Sequence, residues 1–414
     1  MERRSSLKTR LVAEPIRRHR PDYWLLIIIA SLLAIGLIIL YAIGPALSID
    51  GNVGSNYYVD RQLIAVLLSF IAFYIAANVP ISMWRRAYKP LLLFAAGATL
   101  IALIMPANPQ YPAHRWIRLG SFSFQSVELL KFAVLVWLAG FLVKRINRKE
   151  IKQLKATLLP LLVALIVIGL VVAGVQSDLG SMGVIVVMMA IMAYVAGMPF
   201  KRVLIIGCII GLGVVLAVFI SPYRRERLDT YLHPTTNCVS NGYQACQAVI
   251  SVGSGGLIGL GLGRSVQAYG YLPEAANDSI FAIYAEKFGF VGSTILLALF
   301  LALFARLKRI VEHLPDDFSR LVVIGVLAWL SVQTLINIGA MIGLLPLKGI
   351  TLPFISYGGT SVVFVMAAMG LVFQMSRYTL HENSSLKSEG KQYENSSNRR
   401  RLRGSYNPVA GGRS

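Results

Sequence analysis

The chain has 414 residues, of which 56% are hydrophobic and only 14% charged, and its formal net charge is +21. The apolar residues come in long runs rather than amphipathic stripes, and too little lies between the runs to build soluble domains, which excludes a soluble multidomain protein. A charge of this size would point to nucleic acid in a soluble chain, but here its placement gives it another meaning and no nucleic-acid partner is expected.

In chain order, a basic segment (1–22) precedes the first apolar run, which reaches a full span without a small-residue cleavage site and so reads as an anchor rather than a cleaved signal. About ten spans follow, at roughly 23–45, 62–80, 89–107, 127–144, 156–174, 180–198, 203–221, 280–305, 320–342 and 356–376. Each is long enough to cross the hydrocarbon core as a helix, the one form that satisfies its own backbone there. The predicted fold is an all-α integral membrane protein with both termini cytoplasmic and a large extracytoplasmic loop, 222–279, between the seventh and eighth helices. With the N-terminus inside, 30 of the 40 Lys and Arg residues fall on the cytoplasmic side, as the positive-inside bias requires. The charge is therefore a topology signal with an attraction for anionic lipid headgroups. A membrane domain is expected over 23–376, followed by a basic tail, 377–414, rich in Ser, Asn and Gly and expected to be disordered.

The polar groups divide by position. Five scattered histidines lack ligand spacing, so no zinc site is expected, and Cys208 reads as small core filler within an apolar run. Cys238 and Cys246 share the large loop, and a disulfide there fits an oxidising compartment. In the 108–126 loop, Arg115 and Arg118 run against the charge bias: either they meet an anionic partner or they snorkel beside Trp116. Glu128 and Lys131 lie three apart on one face of the fourth span, as a structural pair or as the lining of a polar cavity. Asp178 sits in a very short outer turn, where it either caps the next helix or serves the site. Glu286 and Lys287 read as interfacial snorkellers. The glycine-rich run from Gly253 to Gly263 lacks the preceding strand of a phosphate loop; close packing of short helices is the better reading. Among the outer carboxylates (Asp50, Asp60, Asp178, Glu226, Asp229, Glu274 and Asp278), Glu274 and Asp278 flank the start of the eighth span. Asp278 lies where the apolar run begins, and partial desolvation there suits a general base, with helix capping as the other reading.

These motifs resemble the SEDS family (shape, elongation, division and sporulation proteins). The resemblance rests on Arg115-Trp116-Ile117, Gln125 with Glu128 and Lys131, Gln176 to Gly180, Pro222-Tyr223-Arg224, Gly242-Tyr243-Gln244 and the glycine run. It continues through Leu272 to Ala282, Gly343 to Gly349 and Leu352 to Gly359, in family order over about residues 20–376. The segments Tyr271 to Ala275 and Lys348 to Pro353 look more like the division-type members than the elongation-type ones. Where the family usually has Gln-Pro, this chain has Gln125-Ser126 and Gln176-Ser177, so the following helices should begin at a softer angle.

The resemblance implies a peptidoglycan glycosyltransferase that polymerises lipid II on the outer face during septal wall synthesis, in a multi-pass protein of the bacterial plasma membrane at the division septum. Asp278 is the family-matched base. Arg115, Lys131, Glu128, Asp178, Glu274 and Lys348 are substrate-binding candidates, with Arg115, Lys131, Lys348 or a divalent cation (Mg or Mn) neutralising the leaving pyrophosphate. Implied partners are lipid II, the undecaprenyl-pyrophosphate-linked glycan, other division proteins and a class B penicillin-binding protein, a transpeptidase with one membrane anchor. A lipid II flippase and a non-enzymatic division scaffold are the competing readings. The crowding of candidate groups on one face, away from the midplane, argues against the flippase.

Overall fold

The computed structural model describes residues 20–379, apart from 51–52, 106–113, 120–121, 221–224, 226–227, 230, 233–237 and 240–241. Glu226, the motif Pro222-Tyr223-Arg224, and most of the two basic tails lie outside the described residues.

A helix forms at each of the ten predicted stretches. They are α1 (Tyr23–Asp50), α2 (Tyr57–Asn78), α3 (Ile81–Ile104), α4 (Ser126–Asn147), α5 (Leu154–Val175), α6 (Leu179–Val195) and α7 (Phe200–Ile220). After the short α8 (Tyr243–Ser254) come α9 (Ile280–His313), α10 (Asp317–Met341) and α11 (Gly359–Met375). Among the described residues, 8 helices are long and apolar enough to cross a membrane, while α6, with 17 residues, is apolar but shorter. The chain is a multi-pass helical membrane protein.

One element departs from an all-α reading. Trp116–Leu119 (β1) and Phe122–Gln125 (β2) pair antiparallel, with Trp116 opposite Gln125, as a small hairpin leading into α4. A hairpin this short earns little from its own strands; Gln125 N–H donates to Thr360 Oγ1 at 3.2 Å, tying it to the start of α11.

The core is formed by α4, α10 and α11, whose side chains are mostly buried, whereas α2, α3 and α5 turn most of their surface outward. Close approach substitutes for a hydrophobic driving force between helices in lipid. A Cβ on Gly370 of α11 would collide with the Phe73 carbonyl oxygen of α2, and one on Gly36 of α1 would come within 2.7 Å of the Ile355 carbonyl oxygen. Cys208 is exposed on α7, so it fills no core: its helix face looks away from the bundle.

The connecting segments sort into two ends. At one end Asp22 N–H donates to Ser376 Oγ (3.1 Å), Arg85 pairs with Asp316 (2.5 Å) and Gln374 Nε2 donates to the Val79 carbonyl (2.6 Å). These segments carry the basic clusters. At the other end lie the hairpin, the 176–178 turn, the segment before α9 and the loop before α11.

Candidate functional site

Asp278 stands in a turn built by its own neighbours. The Asn277 and Ser279 amides both donate to the Glu274 carbonyl (2.9 and 3.2 Å), and Glu274 itself takes a left-handed φ of 53°. The Glu274 carboxylate accepts from Asn277 Nδ2 at 2.5 Å, so Glu274 shapes the turn. The capping reading of Asp278 does not fit this geometry. Ser279 occupies the N-cap of α9 without a side-chain cap, and Asp278 lies one residue earlier.

Two elements grip this turn from outside. Asn337, near the end of α10, donates through Nδ2 to both the Asp278 carbonyl (2.8 Å) and the Ile350 carbonyl (2.7 Å). From the loop before α11, Ser356 Oγ donates to the Asn277 carbonyl (2.6 Å) and the Tyr357 amide to the Ala276 carbonyl (2.8 Å). The Asp278 carboxylate therefore faces the 348–350 segment: a Cβ placed on Gly349 would stand 3.6 Å from Oδ2. Lys348 is the residue before it.

Asp178 begins the helix that packs against the same segment. It caps α6 by accepting from the Ser181 amide at 3.0 Å, while its other oxygen, Oδ2, is buried without a hydrogen-bond partner. Two residues on, Gly180 packs so closely that a Cβ would lie 2.6 Å from Ile350 and 3.2 Å from the Lys348 Cβ. Asp178 thus caps α6, and the first turn of that helix packs against the 348–350 segment.

Glu128 and Lys131 reach the site indirectly. Lys131 has no exposed surface; its Nζ pairs with Glu128 Oε1 at 2.7 Å and donates to Gln333 Oε1 at 2.9 Å, 5.2 Å from the Trp329 ring. Gln333 then donates from Nε2 to the Thr351 carbonyl at 2.8 Å. Of the two readings of this pair, the geometry is that of a structural brace. Arg115 is likewise committed to protein: Nε donates to the Gln176 carbonyl (2.8 Å) and an Nη to the Ser177 carbonyl (2.7 Å). These bonds tie Arg115 to the 176–178 turn, which differs from a simple headgroup snorkeller.

Before the turn of Asp278, the large loop contributes packing contacts. Cys238 and Cys246 are joined as a disulfide with Cα atoms 5.5 Å apart. Gln244 Nε2 donates to Ser279 Oγ at 3.1 Å, which brings α8 against the turn of Asp278. Glu286 and Lys287 are buried, not interfacial. Glu286 accepts from Ser265 Oγ (2.5 Å) and from the Val266 and Gln267 amides (2.9 and 3.2 Å), and Lys287 Nζ donates to the Leu262 carbonyl (2.5 Å). The glycine run packs not between short helices but into a break in α9 at Gly289 (φ 65°, ψ −162°). Leu260 and Gly261 amides donate to the Glu286 and Lys287 carbonyls, and Phe290 and Val291 amides donate to Gly256 and Leu257 carbonyls, which satisfies the groups freed by the break.

Several residues at this end went unremarked in the sequence. Gln333 and Asn337 were legible as two polar residues four apart in an apolar span, a spacing that puts both on one helix face. Tyr357 belonged to the Leu352 to Gly359 segment that carries the resemblance, without a role of its own. Its hydroxyl is held above its ordinary pKa by burial, with Arg61 pulling the other way through its charge and a hydrogen bond.

A helical membrane protein whose polar loops at one end converge on a carboxylate is the class that fold and site define. Residues 23–381 match the family described as Cell cycle protein, the FtsW, RodA and SpoVE group, and the chain belongs to that family. It is 35% identical over 364 residues to stage V sporulation protein E of Bacillus subtilis, covering 88% of this chain and 99% of that one. It is also 35% identical to a probable peptidoglycan glycosyltransferase FtsW of Coxiella burnetii (86% and 96% covered). Among solved structures, it is similar to a chain of a peptidoglycan synthase complex that coordinates polymerization and crosslinking (TM-score 0.71, 26% identity, 86% and 98% covered). It is also similar to the rod shape determining protein RodA of Thermus thermophilus (TM-score 0.63, 25% identity, 87% and 98% covered).

Proposed function

We propose that this chain is a peptidoglycan glycosyltransferase that polymerises lipid II on the extracytoplasmic face during septal wall synthesis. The observation that carries the reading is the fixed turn of Asp278, clamped through its backbone by Asn337, Ser356 and Tyr357 while its carboxylate faces the 348–350 segment. Clamping the backbone and leaving the carboxylate to face a loop is what a general base needs, since its geometry must be set before the acceptor arrives.

In the reaction, the 4-hydroxyl of an incoming lipid II gives its proton to the Asp278 carboxylate as its oxygen bonds to the donor sugar. The bond from that sugar to pyrophosphate breaks, and undecaprenyl pyrophosphate leaves with the electron pair. Lys348, in the segment that the Asp278 carboxylate faces, would supply a cation for the developing charge. Arg115 and the Glu128–Lys131 pair act at a distance, by fixing the 176–178 turn and the 348–351 segment. A divalent cation, if the reaction uses one, would be held by Asp278 with Asp178 as the further carboxylate candidate. Among the described residues no three ligating side chains converge, so substrate phosphates would complete its shell, a habit of Mg²⁺. The likeness to a synthase complex supports a transpeptidase partner of the class B penicillin-binding type.

Asp278→Asn keeps the shape of the turn and removes the base. Purified in liposomes with lipid II, the variant is expected to insert and melt as the parent does and to make no glycan strands. Near-normal strand synthesis would overturn the assignment.

A further inference from the structure

Four side chains at the same end of the bundle belong to neither the base nor the brace. Arg61 lies in the second turn of α2, half-buried, with its guanidinium 4.6 Å from the centroid of the Tyr57 ring. Tyr57 meets Tyr58 edge-on at 5.4 Å, and Tyr58 meets Tyr357 edge-on at 5.5 Å. The Arg61 charge also bears on the Tyr357 hydroxyl. The result is one cation beside a run of three edge-packed tyrosines.

This cluster is joined to the catalytic turn by covalent and hydrogen-bonded neighbours. Gln62, next to Arg61, donates to the Ser356 carbonyl and accepts from the Gly358 amide, both at 3.4 Å. Ser356 and Tyr357 are the residues that grip Asn277 and Ala276. Arg61 is therefore coupled through a single layer of contacts to the turn of Asp278.

The charge balance is what calls for a ligand. Among the described residues Arg61 forms no ion pair, although every other candidate cation whose bonds are given is committed: Arg115 to two carbonyls and Lys131 to Glu128. A half-buried guanidinium without a carboxylate loses hydration that a tyrosine face only partly returns. Its planar fork suits the oxygens of a phosphate, and the tyrosine rings offer apolar faces with hydroxyls at their rims, which suits a sugar. We propose that Arg61, Tyr57, Tyr58 and Tyr357 form a binding subsite for a pyrophosphate-linked saccharide. This rests on the glycosyltransferase reading above and adds to it which residues hold the headgroup beside the base.

The same phosphate chemistry has a second source, the anionic phospholipids of the bilayer, and the test separates the two. Full-length Asp278→Asn protein in phosphatidylcholine vesicles is titrated with fluorescent lipid II, with and without Arg61→Gln. Loss of a charge-assisted hydrogen bond to phosphate should weaken binding about tenfold or more. Arg61→Lys should keep part of the affinity and Tyr357→Phe should lose less than Arg61→Gln, so that a melting-temperature defect in one variant leaves two others to decide. Equal lipid II affinity in Arg61→Gln, with strand synthesis by the unmutated protein, overturns the subsite and leaves the glycosyltransferase reading intact. Tight, Arg61-dependent binding together with no strand synthesis by the protein that keeps Asp278 sustains the subsite and overturns the activity. A difference that appears only when phosphatidylglycerol is added assigns the arginine to bulk lipid and overturns the proposal.

Discussion

Lys131 lies in an apolar interior with Glu128 and Gln333 both facing it, and among the described residues no other cation pairs with Glu128. Removing one member of such a pair leaves an uncompensated buried charge, whereas neutralising both leaves a polar but uncharged core. Lys131→Met alone is expected to cost about 3–5 kcal/mol of stability, and Glu128→Gln/Lys131→Met to recover most of it. Melting temperatures in detergent decide this; a double variant as unstable as the single one refutes the brace, and a stable double variant without strand synthesis places Lys131 on the substrate. The spacing of the pair was legible in the sequence because three residues make one helical turn. Its role was not, since the choice between brace and cavity lining turned on Gln333, 202 residues away. At the opposite end, burial would raise the Asp316 carboxyl, but hydrogen bonds from the Ser319 amide and hydroxyl and from Arg85, with the Arg85 charge, outweigh it and hold its pKa below the ordinary value. A depressed carboxylate pKa stabilises the fold above the unfolded value, near ~3.9, and that contribution fades as pH falls through the folded value. Asp316→Asn should therefore remove part of the melting-temperature loss seen on acidification below about pH 4. An identical acid profile in the two proteins would remove Asp316 from the account.

Helices were legible because a continuous apolar run has one backbone solution in lipid, and all ten predicted stretches are helical. The loops between them answer to long-range hydrogen bonds, so the hairpin at 116–125 and the glycine run laced into α9 lay beyond the pattern. The Gln-Ser departures are instructive here. A softer helix start was expected at 176–177, but the structure has a sharp turn: Ser177 takes φ 53°, which proline with its φ near −65° does not adopt. At the other departure, Ser126 N–H donates to the Arg115 carbonyl at 3.3 Å and its Oγ accepts from Gln176 at 3.2 Å, and a proline would lose both. Serine at the two positions thus works as a matched set around Arg115 and Gln176. Ser177→Gly should be neutral or stabilise by up to about 1 kcal/mol, because glycine takes a positive φ without strain. Ser177→Pro should destabilise by more than that and, by displacing the carbonyl that Arg115 holds, lower strand synthesis as well. Thermal unfolding of the two variants tests the conformation, and a Pro variant as stable as the parent would reject it.

At the scale of the whole molecule, two independent chemistries bear on which end faces which compartment. The basic clusters gather where Arg85 meets Asp316 and Asp22 meets Ser376, and retention of positive charge argues that this end is cytoplasmic. The Cys238–Cys246 bond belongs to the loop whose α8 touches the turn of Asp278 through Gln244, and disulfides persist in oxidising compartments. Both signals argue that the turn of Asp278 lies on the outer side, where a substrate could leave its lipid tail in the bilayer and present its sugar to water. The bond closes a loop of sequence separation 8, for which the chain-entropy account gives about 2–3 kcal/mol. Its contribution should be to the fold of the loop and not to chemistry, since neither sulfur belongs to the groups around Asp278. Alkylation of the denatured, non-reduced protein is expected to label Cys208 alone, and prior reduction to label three cysteines. Cys238→Ser/Cys246→Ser should lower the melting temperature by a few degrees and retain strand synthesis, because α8 is also held by Ser251 Oγ donating to the Ala282 carbonyl at 3.0 Å. Three labelled cysteines without reduction would remove the bond and with it one of the two arguments for orientation. Loss of strand synthesis in a double variant that melts normally would instead give this loop a direct part in the reaction.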